Sequence, residues 1–287
     1  MPGITSRVVL VTGCSSGIGR ATASHLAKAG WTVYATARRV EELADLAAQG
    51  CRTLSVDVTD EESMAAAVAH VQRAEGAVGV LVNNAGYSQS GALESLPMDR
   101  VRDQFEANVF GPLRMCQLVL PAMRAQGWGK IVNLSSMGGR FTFPGGGAYH
   151  ASKHAVESLS DALRFEVSGF GINVIVIEPG IIRTSFSETA VRAIEQATGD
   201  DAGDPYADFN RAVAGSTADV YHHGPMARLG GPPEAVARVI EKAITVRRPR
   251  ARYTVTPSAR FLITQRAALP DAGWDAFLRT QCPQPGR

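Results

Sequence analysis

Cysteine is scarce in this chain, with four residues among 287, at positions 14, 51, 116 and 282. They form no Cys-x-x-Cys pair, and their spacing is not that of metal ligands. The pattern argues against a disulfide-rich secreted scaffold and favours free thiols in a reducing compartment. The adjacent His222 and His223 are at most half of a metal site, because no acidic or cysteine partner lies at a useful spacing. We expect no metal.

Long apolar runs are absent as well. No stretch approaches the roughly 18 to 20 apolar residues that a bilayer-spanning helix needs. The first seven residues pass almost directly into an apolar strand at Val8, without the pattern of a signal peptide. We therefore expect a cytoplasmic protein with no stable membrane insertion.

The chain has little net charge, +2, but this charge is unevenly spread. The last 41 residues, 247–287, contain eight arginines and only two acidic residues. Such a basic tail could bind nucleic acid or an anionic membrane surface. The same stretch also carries Phe261, Trp274 and Phe277. Solvated arginines on terminal helices are therefore the simpler interpretation, and we expect a C-terminal extension without a nucleic-acid partner.

Short apolar runs alternate with segments of helical spacing over the first 180 residues. Most of the runs are β-branched and lack period-2 alternation, which is typical of strands buried on both faces of a parallel sheet. The predicted strands are 8–11, 32–36, 52–56, 78–82, 130–134 and 173–177, and the predicted helices are 18–29, 40–49, 63–74, 98–126 and 151–167. We predict an α/β fold, a Rossmann-type doubly wound parallel sheet with helices on both faces. No linker or internal repeat divides the chain, so one domain should span 1–287.

A glycine motif follows the first predicted strand directly and opens the first helix. It reads Thr-Gly-Cys-Ser-Ser-Gly-Ile-Gly over residues 12–19. In this context Gly13 permits a tight turn, Gly17 lets the backbone approach a pyrophosphate, and Gly19 allows close helix packing. The free N–H groups and positive dipole end of the helix would face the phosphates. The motif predicts a dinucleotide site.

The end of the second strand indicates which dinucleotide is bound. A site for NAD places an acidic residue there, to accept hydrogen bonds from the ribose hydroxyls. Here the position is followed by Arg38 and Arg39, and no carboxylate occurs before Glu41. Guanidinium groups hold a 2′-phosphate well, so we predict NADP(H). The alternative is that the two arginines only open a surface helix.

Tyr149 and Lys153 lie four residues apart at the start of a predicted helix, on one face. A phenol is a weak base at neutral pH, and an ammonium about 4 Å away would lower its pKa by roughly one to three units. Thirteen residues before Tyr149 lies Ser136, just after a strand, with a hydroxyl that could bind a substrate carbonyl. Ser135 competes for that role, and spacing alone does not separate the two.

Together these motifs resemble the short-chain dehydrogenase/reductase family, in its branch of about 250 residues, over about residues 5–185. The resemblance rests on the glycine motif, Asn83-Asn84-Ala85-Gly86, Asn108, Ser136, Tyr149 with Lys153, and Pro179-Gly180, in that order. The stretch 33–39 and the extended C-terminus are similar to the hydroxysteroid and retinol dehydrogenase members.

The resemblance implies roles for individual residues. Ser136 rather than Ser135 would bind the substrate carbonyl, Tyr149 would be the general acid/base, and Lys153 would also bind the nicotinamide ribose. Asn108 would hold a water in the proton relay. The remaining implied cofactor contacts are Gly13, Ser15, Ser16, Gly17, Ile18 and Gly19 at the pyrophosphate, Arg38 and Arg39 at the phosphate, Asp57 and Val58 at the adenine, Asn84, Ala85 and Gly86 at its ribose, and Pro179, Gly180, Ile182 and Thr184 at the nicotinamide.

We therefore expect an NADP(H)-dependent oxidoreductase that interconverts a carbonyl and a primary or secondary alcohol on a fairly bulky apolar small molecule. A non-catalytic NADP(H) sensor or scaffold, an epimerase or dehydratase, and a membrane-surface protein are the alternatives. Residues 185–231, which interrupt the alternation and are glycine-rich, are predicted to be an irregular lid over the substrate. The resemblance also implies a homodimer or homotetramer that pairs through the helices predicted at 98–126 and 151–167.

Overall fold

The computed structural model describes residues 6–197, 204–222 and 225–286. Its seven strands are β1 (Val8–Val11), β2 (Thr32–Ala37), β3 (Arg52–Ser55), β4 (Val80–Asn83), β5 (Gly129–Leu134), β6 (Ile172–Pro179) and β7 (Arg252–Val255). Its α-helices are α1 (Gly17–Lys28), α2 (Ala44–Ala48), α3 (Glu61–Glu75), α4 (Met98–Phe105), α5 (Gly111–Ala125), α6 (Gly147–Val167), α7 (Phe186–Ala197), α8 (Ala207–His222), α9 (Pro225–Arg228), α10 (Pro233–Thr245), α11 (Pro257–Ala268) and α12 (Asp271–Arg279).

All seven strands are parallel and form one sheet in the order β3-β2-β1-β4-β5-β6-β7. The order reverses beside β1, which pairs with β2 on one side and with β4 on the other. The carboxyl ends of these strands therefore border a crevice at a topological switch point, where doubly wound sheets bind ligands.

Successive side chains of each strand pack into two separate hydrophobic cores, because they point to opposite faces of the sheet. Val9 and Val11 of β1 belong to a core that includes Ile240 of α10, whereas Leu10 belongs to a second core with Met115 of α5. Every residue of β1, β4 and β5 is buried. The predicted doubly wound sheet with helices on both faces is therefore confirmed.

Three differences from the predicted elements stand out. β7 was not predicted, since it is a four-residue edge strand inside the arginine-rich stretch. The helix predicted at 98–126 is interrupted by a π-helical turn, Glu106–Phe110, which separates α4 from α5. The helix predicted at 40–49 begins as a 3-10 turn, Val40–Leu43, before α2.

The segment 185–231 is not irregular, contrary to the prediction. Its described part forms α7, α8 and α9, while residues 198–203 and 223–224 lie outside the described residues. The glycines that suggested a loop include Gly199 and Gly203, which fall between α7 and α8. α7 and α8 each contain several alanines, the residue of highest helix propensity.

The C-terminal extension packs against the loop between Ser136 and Tyr149. Phe141 and Phe143 contact Trp274 of α12 at ring-centroid distances of 5.6 and 5.9 Å. The arginines here are not all solvated, because Arg252 pairs with buried acidic side chains and Arg266 lies over the Trp274 ring. Among the described helices, none combines the length and the apolar character needed to cross a membrane.

Candidate active site and cofactor cleft

A cleft of about 920 Å³ opens at the carboxyl ends of the strands. Most of the residues predicted at the site line it: Gly13, Ser15, Ser16, Gly17, Ile18, Arg38, Asp57, Val58, Asn84, Ala85, Gly86, Ser136, Tyr149, Lys153, Pro179, Gly180, Ile182 and Thr184. Gly19, Arg39 and Asn108 do not line it. Residues from separate βα turns are thus brought to one space by the parallel sheet.

The glycine turn is shaped by its contact with the turn after β4. Gly13 has a positive φ of 72°, and a Cβ there would lie 2.8 Å from the Cα of Ala85. The Asn84 amide donates to the carbonyls of Thr12 and Gly13 at 2.9 and 3.0 Å, so this side chain supports the turn. Gly19 is also packed tightly, since a Cβ there would collide with the Gly13 carbonyl. These contacts explain why neither Gly13 nor Gly19 can carry a side chain.

The start of α1 fits a phosphate. The Ser16 side chain makes no capping hydrogen bond, so the first N–H groups of the helix lack a side-chain acceptor. Gly17 lines the cleft with a φ of 55°, and a Cβ on it would approach the Thr184 side chain within 3.3 Å. Free donors, a positive helix end and a missing Cβ together form a cradle for a pyrophosphate.

The two arginines after β2 separate in the structure. Arg38 lines the cleft, whereas the Arg39 guanidinium pairs with Glu42 and its side chain is 76% exposed. Arg39 does not line the cleft, and its contact with the cofactor stays a prediction. The Asp57 carboxylate, although in the cleft, accepts from the backbone N–H and the hydroxyl of Thr59.

Ser136, Tyr149 and Lys153 meet at the other end of the cleft. The Ser136 hydroxyl hydrogen-bonds the Tyr149 phenol, and its oxygen also accepts from Gly138 N–H at 3.1 Å. The Ser135 hydroxyl donates to the Ser136 carbonyl at 3.5 Å and lies on the side of Glu157. Both serines line the cleft, but it is the Ser136 hydroxyl that acts on the pKa of Tyr149.

Burial dominates the electrostatics of this site. It raises the pKa of Tyr149 to about 12, although the hydrogen bond from Ser136 lowers it. It lowers the pKa of Lys153 to about 8, against the effect of the Glu157 carboxylate, which raises it. The Lys153 ammonium donates to the Leu134 carbonyl at 2.8 Å and lies 5.8 Å from the centre of the Tyr149 ring. The expected lowering of the tyrosine pKa by the lysine does not appear in this arrangement, in which burial raises it.

Asn108 is buried in the π-helical turn beside the site. Its amide donates to the Tyr87 carbonyl at 2.9 Å and to the Ser152 hydroxyl at 3.1 Å, and its oxygen accepts from Tyr87 N–H. A Cβ on Gly86 would lie 2.8 Å from this oxygen and 3.9 Å from the Lys153 ammonium. Asn108 therefore lies behind the cleft wall, close to the lysine.

Two residues that the sequence did not assign also reach the catalytic end. Phe186 of α7 packs against the Tyr149 ring at 5.6 Å, and Tyr221 of α8 lines the same cleft. No local motif marks either of them. The sequence analysis also did not identify Glu157 as a neighbour of the site, although its i,i+4 spacing from Lys153 on a predicted helix indicates one.

Within the described residues, no cluster of three or more metal-ligating side chains occurs. His223 and the side chain of His222 lie outside the described part of the chain.

Comparison with known proteins identifies the family. Residues 7–195 match the short chain dehydrogenase family. A 3-ketodihydrosphingosine reductase of Bacteroides thetaiotaomicron is 37% identical over 267 residues, covering 92% of this chain and 94% of that protein. An NADPH-dependent 3-dehydrocapnine reductase of Ornithobacterium rhinotracheale is 33% identical over 274 residues, covering 92% and 93%. A particular closeness to hydroxysteroid or retinol dehydrogenases is not shown by these relatives.

Similar solved structures share this fold but differ in the nucleotide that they bind. A short-chain dehydrogenase from Streptomyces avermitilis is 36% identical with a TM-score of 0.75, covering 96% of this chain and 99% of that one. A serine dehydrogenase complexed with NADP+ and a Burkholderia phymatum enzyme in complex with NAD are each 25% identical, with TM-scores of 0.74 and 0.78. They cover 87% and 100% of this chain, and 94% and 100% of their own chains. This chain belongs to the short-chain dehydrogenase family, whose oxidoreductases act on alcohol or carbonyl groups with a nicotinamide nucleotide.

Proposed function

We propose that this protein is an NADPH-dependent reductase of a ketone carried by an aliphatic, amphipathic small molecule. One observation carries the proposal: Arg38 and the Ser136–Tyr149 pair line a single cleft, with the open glycine turn as part of the same wall. A phosphate-binding cation and a proton donor are thus available to one elongated ligand.

In this proposal the bound nicotinamide supplies the hydride, and the chain supplies binding and the proton. The Ser136 hydroxyl donates a hydrogen bond to the carbonyl oxygen, and Tyr149 transfers its phenolic proton to that oxygen as the alcohol forms. Because burial raises the pKa of Tyr149 to about 12, the phenol is protonated at neutral pH and is ready for reduction. Lys153 binds the nicotinamide ribose, and Asn108 holds a water through which the proton of Tyr149 is replaced.

The preference for NADPH rests on charge at the end of β2. Arg38 lines the cleft directly after β2, and Oδ1 of Asp57 accepts from the N–H and the hydroxyl of Thr59. No acidic side chain follows β2 before Glu41. A 2′-phosphate would meet a guanidinium there, and a ribose hydroxyl would lack a carboxylate acceptor.

The substrate class is suggested by the relatives. Two of them are named as reductases of a 3-keto or 3-dehydro compound, and one of these as NADPH-dependent. In this chain the catalytic end is bordered by Phe186 and Tyr221, an apolar and an amphipathic side chain. Such a wall suits a ketone that joins an aliphatic chain to a polar group.

We further propose that 185–231 is a lid over this end, since α7 and α8 each contribute a side chain to the cleft. Hydrogen exchange in these helices should slow only when cofactor and ketone are bound together.

We also propose that the protein is cytoplasmic and forms a homo-oligomer. The described cysteines, all free, support the location.

The test is loss of NADPH absorbance when purified protein meets detergent-dispersed 3-ketodihydrosphingosine, with NADH in parallel. Turnover with NADPH is expected, and Tyr149→Phe should lose several orders of magnitude in kcat while still binding NADPH, because only the transferred proton is removed. Cofactor binding without turnover of this or any short aliphatic ketone would favour the sensor or scaffold instead.

A further inference from the structure

Two aromatic side chains from beyond the nicotinamide turn enclose the space beside Tyr149. The Phe186 ring lies 5.6 Å from the Tyr149 ring, inclined at 56°. Tyr221 approaches from α8 and lines the same cleft. The catalytic phenol therefore faces one wholly apolar side chain and one that carries a hydroxyl.

The hydroxyl of Tyr221 makes no hydrogen bond to the described residues, although the side chain is partly buried. Other tyrosines of this chain are bonded: the hydroxyl of Tyr206 donates to Glu94 at 2.6 Å, and that of Tyr253 accepts from Arg250 N–H. A hydroxyl that opens into the cleft and has no partner in the protein can donate to a ligand without breaking a protein hydrogen bond. Tyr221 is thus an available donor inside the cleft.

The protonation state of Tyr221 keeps it a donor. Burial raises its pKa, and a negative charge on Tyr149 would raise it further. The phenol therefore stays neutral across the physiological range and does not compete with Tyr149 as a base. The electrostatic influence of Tyr149 on Tyr221 also indicates that the two side chains share one space.

We propose that Tyr221 is a specificity-determining residue, which donates a hydrogen bond to an oxygen carried by the substrate beside the reacting carbonyl. Phe186 then bounds the apolar side of the same substrate. The inference rests on the proposed function and narrows its substrate class to ketones with a neighbouring hydroxyl or similar acceptor.

The test compares two ketones that differ only in one hydroxyl, 1-hydroxydecan-3-one and decan-3-one, with NADPH. Wild-type protein is expected to prefer the hydroxy ketone about tenfold or more in kcat/KM, because the plain ketone leaves the phenol unpaired. Tyr221→Phe keeps the ring, and should bring the ratio to within about threefold by lowering the rate with the hydroxy ketone alone. Tyr253→Phe, which removes a hydroxyl of a residue that does not line the cleft, should leave the ratio unchanged.

Each other outcome is decisive. A ratio unchanged by Tyr221→Phe overturns the inference while turnover upholds the reductase. Equal losses with both ketones, with the unfolding midpoint unchanged, would make Tyr221 a wall of the cleft and also overturn it. If the wild-type protein reduces neither ketone, nor 3-ketodihydrosphingosine, the proposed function fails and the role of Tyr221 fails with it.

Discussion

Arg252 and Glu157 lie 95 residues apart in the sequence, yet the Nε of Arg252 donates to Oε2 of Glu157 at 2.9 Å. Glu157 follows Lys153 by one helical turn on α6. The same guanidinium donates to Asp161 at 2.7 Å and lies 3.5 Å from Glu178. The last strand is thereby joined, through buried charges, to the helix that carries the catalytic tyrosine and lysine.

Loss of this arginine should destabilise the fold. Arg252→Met would leave the carboxylates of Glu157 and Glu178, whose side chains are 8% and 4% exposed, without their shared cation. We expect a loss of about 3 to 5 kcal/mol in the free energy of unfolding, measured with urea. Arg211→Met, which removes a fully surface pair with Asp208, should cost less than about 1 kcal/mol. Equal effects of the two substitutions would contradict the buried network.

Adjacent serines should behave differently. Ser136→Ala removes the hydroxyl that meets Tyr149, and we expect kcat to fall about 100-fold to 1,000-fold, as when an oxyanion donor is removed. Ser135→Ala is the matched control, because its hydroxyl donates to the Ser136 carbonyl instead. Its kcat should change by less than about tenfold. The measurement is kcat of both variants from steady-state kinetics with NADPH. A larger loss of kcat in Ser135→Ala than in Ser136→Ala would exchange the roles of the two serines.

Adjacent arginines give a second matched pair. Wild-type protein should prefer NADPH over NADH at least about a hundredfold in kcat/KM, and less as salt rises. Arg38→Leu should reduce this preference to a few-fold, since it removes the guanidinium that lines the cleft after β2. Arg39→Leu should leave it nearly unchanged, because that guanidinium pairs with Glu42. A wild-type protein that uses both nucleotides equally would refute NADP specificity and leave the proton chemistry intact.

The pH dependence of reduction should follow Lys153. Its pKa lies at about 8, so the ammonium is present below that pH and is lost above it, while Tyr149 stays protonated. We expect kcat/KM for reduction to be level below about pH 8 and to fall above it. Glu157→Gln should move the falling limb to lower pH, because the carboxylate raises the pKa of Lys153. If the falling limb lies at the same pH in this variant as in the wild type, it reports the titration of a group other than Lys153.

Self-association should depend on the long helices. In the single chain, Leu159 of α6 is 37% exposed and Phe165 is 86% exposed. Exposed apolar side chains of this kind are expected where a second copy of the chain would cover them. Light scattering at micromolar concentration should show a dimer or tetramer, and Leu159→Glu should shift it to smaller species. Phe261→Glu, at an exposed position of α11, is the control and should have no effect. A monomeric wild-type protein would refute the predicted oligomer.

Much of the fold and of the site can be predicted from the sequence, because the motifs that specify them are local in the chain. The glycine motif lies between a strand and a helix that are adjacent in the chain, so Gly13 and Gly19 could be interpreted from their order alone. Tyr149 and Lys153 share a helix face by spacing. The parallel, doubly wound sheet follows from the alternation of apolar runs and helices, and the structure confirms it. The helices of 185–231 were missed because the glycines between them suggested a loop.

Tertiary structure decided what depends on direction and on distant neighbours. Ser135 and Ser136 are equivalent in spacing, and only the packing of Glu157 against one of them separates the two. Tyr221 lines the same cleft as Tyr149 because the fold brings α8 to the catalytic end, which no local pattern specifies. The pKa of Tyr149 was expected to fall beside a lysine and instead rises to about 12. The free energy of desolvating a charged group depends on all the atoms that surround it, and those atoms come from the whole chain.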